Sequence, residues 1–452
     1  MKTNNAQNLK ALPAGYKQTE VGIIPDDWKV SNIGDLCVIF GRIGFRGYTK
    51  ADIVSQDQGV LSISPSNIFN GRTNFIHGTY ITRQKYEESP EIKIYEDDIL
   101  LVKTGSTYGK IALVKNLKED ATLNPQVVVL KRLKCPAAFL AYIMQFDIVQ
   151  NQIEETIVGG AIPTLSQKVV LNYKIPLPSP KEQVAIANVL SDIDALITKI
   201  EQLIEKKRAI KIAAMQQLLT GRTRLPKFSK HTDSTVKDNK TSELGRIPKD
   251  WDTVLLKDIA TVKGGKRLPK GEVLVSSPNA HPYIRVTDMN DDGIDISNVL
   301  YVPEHIAHVI KNYKIFSGEL FISVAGTLGI VGQVPHSLNG ANLTENADRI
   351  CQIKADPIFI KYWLQGRYIQ DEIASKSTIG AQPKLALGRI ENFVVPLPRL
   401  YEEQTAIATV LSDIDSELTL LGQKLAKACD IKQGMMQQLL TGRIRLPLDQ
   451  LS

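Results

Sequence analysis

Residues 215–226 read MQQLLTGRTRLP and residues 436–447 read MQQLLTGRIRLP, a single difference in twelve positions at a separation of 221 residues. A repeat of this kind constrains the fold more than any local propensity, because each copy must form the same unit in the same surroundings. The match runs backwards without a gap over 183–226 and 404–447, with 26 identities in 44 positions. Before it, IPLPSPKEQ (175–183) and VPLPRLYEEQ (395–404) agree apart from one added residue, and TEVGIIPDDW (19–28) parallels SELGRIPKDW (242–251). Between these frames, residues 29–174 and 252–394 keep only scattered matches, such as GAIPTL (160–165) against GAQPKL (380–385). Near-copied frames around divergent bodies imply two readers of different things on one support.

Each frame reads as a long helix, free of proline from Pro180 to Pro226 and from Pro398 to Pro447. In the first, Ile186, Ile193, Ile200 and Ala214 recur at sevens, interrupted by Lys207, and Val189, Leu196, Leu203 and Ile210 form the complementary row. The two rows make an a/d seam, widened by Leu190, Ile197 and Ile204. The second helix keeps one row (Ile407, Ile414, Leu421, Ala428, Met435), a poorer one (Val410, Glu417, Lys424, Ile431) and a third stripe (Leu411, Leu418, Leu425). Gly221 and Gly442 stand where a helix terminus favours glycine. A helix over about 181–220 is roughly 60 Å long and must bury its seam. The other copy is the simplest partner, and since each helix leaves its own body, the pair is expected to run antiparallel. The alternative is that each helix packs on its own body alone. If the second helix returns to the first body, the chain ends meet and mimic the internal linker KFSKHTDSTVKDNKT (227–241).

Composition narrows the class. At 43% apolar residues the chain can build real cores, yet its longest apolar runs, such as ILLV (99–102) and VVVL (127–130), fall far short of the ~20 residues of a membrane span. MKTNNAQNLK has no apolar stretch behind its lysines, so a signal peptide is not expected. Four cysteines stand far apart without a CxxC pair, which fits a reducing cytoplasm better than a disulfide or zinc scaffold. A net charge of +7 permits nucleic-acid binding through local patches without demanding it.

The paired IP-x-DW openings, the PLP…EQ helix starts, the SDID turns (191–194, 412–415) and the QQLLTGR-x-RLP endings together resemble the specificity subunits of Type I restriction–modification enzymes, over essentially the whole chain. The resemblance implies a mixed α/β (α+β) fold. Two globular target recognition domains are then separated by two long antiparallel coiled-coil helices, in a pseudo-twofold circular arrangement. It divides the chain into an N-terminal segment packing near the C-terminus (1–28), a first recognition domain (29–178), a long helix (179–221) and a linker (222–250). A second recognition domain (251–398), a second helix (399–442) and a tail (443–452) follow. It further implies a sequence-specific subunit that is not itself an enzyme, each domain reading half of a bipartite asymmetric target in double-stranded DNA. The helices would set the unread spacer and dock two modification (methyltransferase) subunits. S-adenosylmethionine would be bound by those partners, ATP and Mg by restriction/translocase subunits, and no cofactor or metal by this chain. The setting is cytoplasmic, with no membrane.

The residues themselves carry little catalytic signal. NPQV (124–127) lacks the aromatic of an adenine methyltransferase motif, and GSTYGKIA (105–112) is one residue short of a phosphate loop with no Ser or Thr after Lys110. HIAH (305–308) offers two histidines without an evident third ligand. The candidate DNA contacts come in pairs at matching offsets. GRIGFRGYTK (41–50) supplies Arg42, Phe45, Arg46, Tyr48 and Lys50, opposite Lys263, Lys266, Arg267 and Lys270 in KGGKRLPK (263–270). Asn67 and Arg72 pair with Arg285, Thr287 and Asp288 as base-edge readers, and a plain hairpin is the rival reading. Lys103, Ser106, Thr107, Tyr108 and Lys110 line a glycine-rich loop whose counterpart (323–329) is apolar, and Gln382 and Lys384 mark a fourth loop that also reads as a hinge. The competing function is a stand-alone two-domain DNA-binding regulator dimerised by its helices, for which +7 over 452 residues is a thin basic field.

Overall fold

The computed structural model describes residues 12–42, 44, 47–156, 164–230, 238–290, 293–375 and 384–447. The chain divides into two units, residues 1–201 with 423–452, and residues 202–422. The fold is mixed α/β, with two bodies of the same plan and two 39-residue helices, Pro180–Leu218 and Tyr401–Leu439.

In the first unit, six strands run in the order Val38–Gly41, Val127–Lys131, Ile99–Val102, Ile111–Leu113, Gly71–Thr73, Ile68–Phe69. A second sheet has the order Ala121–Leu123, Gly59–Ile63, Thr79–Thr82, Ile53–Val54. ILLV and VVVL lack the alternation of a half-solvated strand because both their faces are covered. Leu101, Val128 and Leu130 meet the helices Ala137–Gln145 and Asp147–Glu155, while Leu100, Val102, Val127 and Val129 meet the second sheet.

The second unit repeats this with one sheet ordered Thr261–Gly264, Ala347–Cys351, Leu320–Ser323, Val331–Gln333 and another ordered Leu300–Tyr301, Pro282–Ile284, Ala341–Leu343, Lys314–Ile315. The registers correspond. Ile99 faces Leu130 as Leu320 faces Ile350, and Gly41 faces Val128 as Gly264 faces Asp348.

Within each unit the two long helices pair antiparallel. Lys211 bonds Asp415 at 2.5 Å and Lys207 bonds Glu417 in the second unit, so position rises on one helix as it falls on the other. Lys432 bonds Asp194 at 2.9 Å in the first. The seam differs from the one expected. Ile186, Leu190, Ile197 and Ile204 are buried, whereas Leu196, Leu203 and Ile210 are 41–47% exposed. The inward face combines the first row with the third stripe, and the expected complementary row looks outward beyond Val189 and Val410, which pack half-buried on the cores. The second helix agrees: Ile407, Leu411 and Ala428 are buried, and Glu417, Lys424 and Ile431 are exposed.

The repeated endings and openings interlock. Gly221 and Gly442 have φ of +67° and +69° and close the helices, with Thr223 N–H donating to Gln217 O and Ile444 N–H to Gln438 O. A Cβ on Gly221 would lie 2.4 Å from Pro248 Cδ, and one on Gly442 2.5 Å from Pro25 Cγ, so glycine serves both the turn and the close approach. In the second unit Arg224 forks onto Glu403 (2.9 and 2.6 Å) and Asp250 (2.8 and 3.0 Å), and Trp251 Nε1–H donates to Glu403 at 3.3 Å. In the first, Arg445 bonds Glu182 and Asp27 in the same way, Trp28 Nε1–H donates to Glu182 at 3.0 Å, and Tyr16 donates to Gly442 O. Each ending therefore clasps the opening of the other half. The bonds to Asp27 and Glu182 hold Arg445 above its ordinary pKa, and Asp27 is correspondingly held low by Arg445.

Candidate nucleic-acid interface

In the first unit Arg42, Tyr48 and the loops around 62–67, 103–107 and 124–126 converge. Lys103 N–H donates to Gln126 O at 2.8 Å, Leu165 N–H to Lys103 O at 2.8 Å, and Thr104 bridges Thr164. The Tyr48 hydroxyl accepts from Ser62 Oγ (3.1 Å) and Asn124 Nδ2 (3.0 Å). Ser64, Ser66, Thr104, Ser106, Thr107 and Gln126 then surround an open recess of about 240 Å³.

The same loops meet in the second unit. Lys266 N–H donates to Leu343 O (2.8 Å), Thr344 N–H to Ile284 O (3.1 Å), Val324 N–H to Asn346 O (2.7 Å), and Ala325 bridges Lys384. A Cβ at Gly265 would sit 2.0 Å from Thr344 O, so the basic loop 263–270 presses against the strand end only with glycine there. Lys263, Lys266, Arg267, Lys270, Thr287 and Lys384 are exposed. Lys266, Arg267 and Lys270 border a recess of about 550 Å³ floored by Leu268, Val309 and Ile310.

Several residues expected at the bases are spent inside the fold. Arg42 is 5% exposed, donates to Leu123 O and Thr122 Oγ1, and lies 5.4 Å from the Tyr48 ring centroid. Burial pulls its pKa down, as for a guanidinium kept from water. Asn67, also buried, accepts from Ser64 N–H and donates to Asn74 O and His77 O, knitting its loop. Asp288 does the same work in the second unit, accepting from Arg285 N–H (2.8 Å) and ion-pairing with its guanidinium, so Arg285 is committed too. Arg72 turns to the first long helix, bonding Asp194 and Glu201. With Tyr108 and Lys110 it lines a separate cavity of about 710 Å³ beside that helix. Residues of this kind both read bases and tie loops, and burial together with internal partners separates the two uses.

What remains outward is unlike in the two units. The first offers Lys50, Ser106, half-buried Thr107 and half-buried Lys103, a hydroxyl-rich surface, and the second offers lysines and Arg267. Phe45, Arg46 and Gln382 lie outside the described residues. Beneath the second cluster, Asp348 occupies the place of Val128. Burial raises its carboxyl to about 6, partly offset by Lys384. Among the described residues no three His, Cys, Asp or Glu side chains group as metal ligands, and no helix is long and apolar enough to cross a membrane.

Two groups escaped the sequence reading. Tyr142 donates to Asp194 at 2.8 Å beneath Lys432, and Tyr362 donates to Asp415 at 2.7 Å beneath Lys211, fastening each body to both helices. The repeated SDID and the Ile-Lys pairs (210–211, 431–432) were the available signal. Gln126 and Asn346, at matching turns, are the other group.

Residues 25–208 and 248–428 match the family described as Type I restriction modification DNA specificity domain. Over 431 residues the chain is 27% identical to the Type I restriction enzyme MjaVIII specificity subunit of Methanocaldococcus jannaschii, covering 94% of each. It is 24% identical to the Type I restriction enzyme EcoBI specificity subunit of Escherichia coli, covering 93% of this chain and 87% of that protein. The fold is similar to the crystal structure of the S subunit of a Type-I restriction-modification system from M. genitalium, with a TM-score of 0.55 at 19% identity, over 91% of this chain and 96% of that one.

Proposed function

This chain belongs to the Type I restriction–modification DNA specificity family, and on that premise we propose how its parts divide the work of a non-catalytic DNA-specificity subunit. Each body reads one half of a bipartite, asymmetric duplex target through its converging loops. The observation that carries this reading is the pairing of one loop plan with two unlike exposed chemistries, small hydroxyls around Gln126 and cations around Lys266. Phosphate contacts fall to the exposed lysines and Arg267, because point charges grip the backbone without regard to sequence.

The long helices fix the interval between half-sites, and the outward apolar row of the first helix receives two methyltransferase subunits. Leu196 in the first unit and Leu203 and Ile210 in the second are the observation favouring that surface. S-adenosylmethionine belongs to those partners, ATP and Mg to restriction/translocase subunits, and the complex works in the cytoplasm. The test is co-expression with the modification subunits followed by mapping of methylated adenine. A two-part motif with an unread spacer is expected. Failure to capture a methyltransferase, with specific DNA binding retained, would favour the stand-alone regulator instead.

A further inference from the structure

Resting on the reading of each body as a half-site reader, we infer that Gln126 and Asn346 are its base-reading amides, each addressed to the major-groove edge of an adenine. Both occupy the residue immediately before the second strand of the helix-covered sheet, Val127–Lys131 in one unit and Ala347–Cys351 in the other. Both backbones are locked by the same pattern. Gln126 N–H donates to Asn124 Oδ1 (2.8 Å) and its carbonyl accepts from Lys103 N–H. Asn346 N–H donates to Thr344 Oγ1 (3.4 Å) and its carbonyl accepts from Val324 and Ala325 N–H. On so fixed a turn the backbone needs no ordering on binding, and the cost is confined to the rotamer of the amide side chain itself.

The side chains themselves are unspent. Among the described residues neither amide group makes a hydrogen bond within the protein, in contrast to Arg42, Asn67, Arg285 and Asp288 of the same loops. Gln126 is exposed and Asn346 half-buried. Close approach by a duplex is also provided for. Gly105 (φ +108°) stands beside Gln126, where a Cβ would lie 3.3 Å from its Nε2, and Gly326 (φ +79°) follows Ala325, whose N–H bonds the Asn346 carbonyl; a Cβ on Gly326 would project into open space. Glutamine and asparagine pair bidentately with adenine N6 and N7, one donor and one acceptor answering one acceptor and one donor. The two amides differ by one methylene, as two readers of different half-sites can.

The experiment uses the complete methyltransferase complex, with methylome mapping and binding to duplexes carrying each base at each half-site position. Gln126→Ala is expected to lose about 5- to 150-fold discrimination at one base pair of one half-site, leaving the other half-site and the spacer intact. Asn346→Ala should do the same in the other half-site. Gln126→Glu, of the same shape, should shift that position from adenine towards cytosine, whose N4 amino group donates to a carboxylate. Unchanged preference at every position in the Ala variants would overturn the inference. So would a loss equal for all sequences with a smaller salt slope, which marks a phosphate contact. A wild-type complex that methylates without a two-part motif would bring down the half-site reading itself, a result visible before any variant is made.

Discussion

Replacing Arg224 with methionine keeps most of the side-chain volume and removes the cation that joins the first helix's end to the second body. Four bonds are lost, two to Glu403 and two to Asp250. The Asp250 side chain is 35% exposed and regains water, but Glu403 is 2% exposed and among the described residues keeps only Trp251 Nε1–H, at 3.3 Å. A carboxylate stranded in this way costs about 3–5 kcal/mol. Arg445→Met should cost a comparable amount in the first unit although Arg445 is 40% exposed, because Glu182, also at 2%, is the group left behind. Adding Glu403→Gln to Arg224→Met should recover more than about 1 kcal/mol, since the charge that lacked a partner is gone. Equilibrium urea unfolding of the free subunit measures these differences by tryptophan emission, with Trp28 in the first unit and Trp251 and Trp363 in the second. Losses below about 1 kcal/mol in both single variants, or a double variant no more stable than Arg224→Met, would refute the reasoning.

Three further outcomes are expected. Asp348 has its pKa raised in the fold from 3.8 to about 6, so it contributes stability below pH 4 that is lost as pH rises through 6; Asp348→Val, the residue type of the first unit, should gain on the order of 1–3 kcal/mol at pH 8 and nothing at pH 4 in urea unfolding. Changing Lys266, Arg267 and Lys270 together to alanine should weaken binding of the complex to all duplexes alike and lower the slope of log K against log salt by up to about 0.9 per lost contact; an unchanged slope removes this loop from the backbone. Four residues added to both helices, after Glu201 and after Gly422, preserve the Lys432–Asp194 and Lys211–Asp415 pairs on either side and lengthen the helices by about 6 Å. The methylated spacer should grow by roughly one to two base pairs, and an active variant with its spacer unchanged would refute a spacing role for the helices.

The repeat made the long helices and their glycine ends legible, because copied text with heptad spacing has few structural solutions. It did not choose which of two rows joins the third stripe in the buried seam. Rows at 186, 193, 200 and at 189, 196, 203 have the same period, and which one pairs with 190, 197, 204 depends on the bodies packed at each end. The charged second row of the later helix, Glu417 and Lys424, was the clue that this row faces water. The candidate contacts failed where chemistry alone was weighed. Arg42 and Asn67 have the donors to read a base, yet a strand end and a tight loop needed those donors first. Tyr142 and Tyr362 were harder to read for another reason: the repeated SDID marks one partner, but the tyrosines lie 52 and 53 residues away from it in sequence.

Domain exchange read by methylome mapping tests most directly that two independent readers share one support. Residues 29–174 would be replaced by the corresponding segment of another family member, with Trp28, Glu182 and Arg445 kept so that the clasp survives. One half-site should change to the donor's, while the other half-site and the spacer stay as they were. A change in both half-sites, or in neither, from a complex that still methylates DNA would contradict the account.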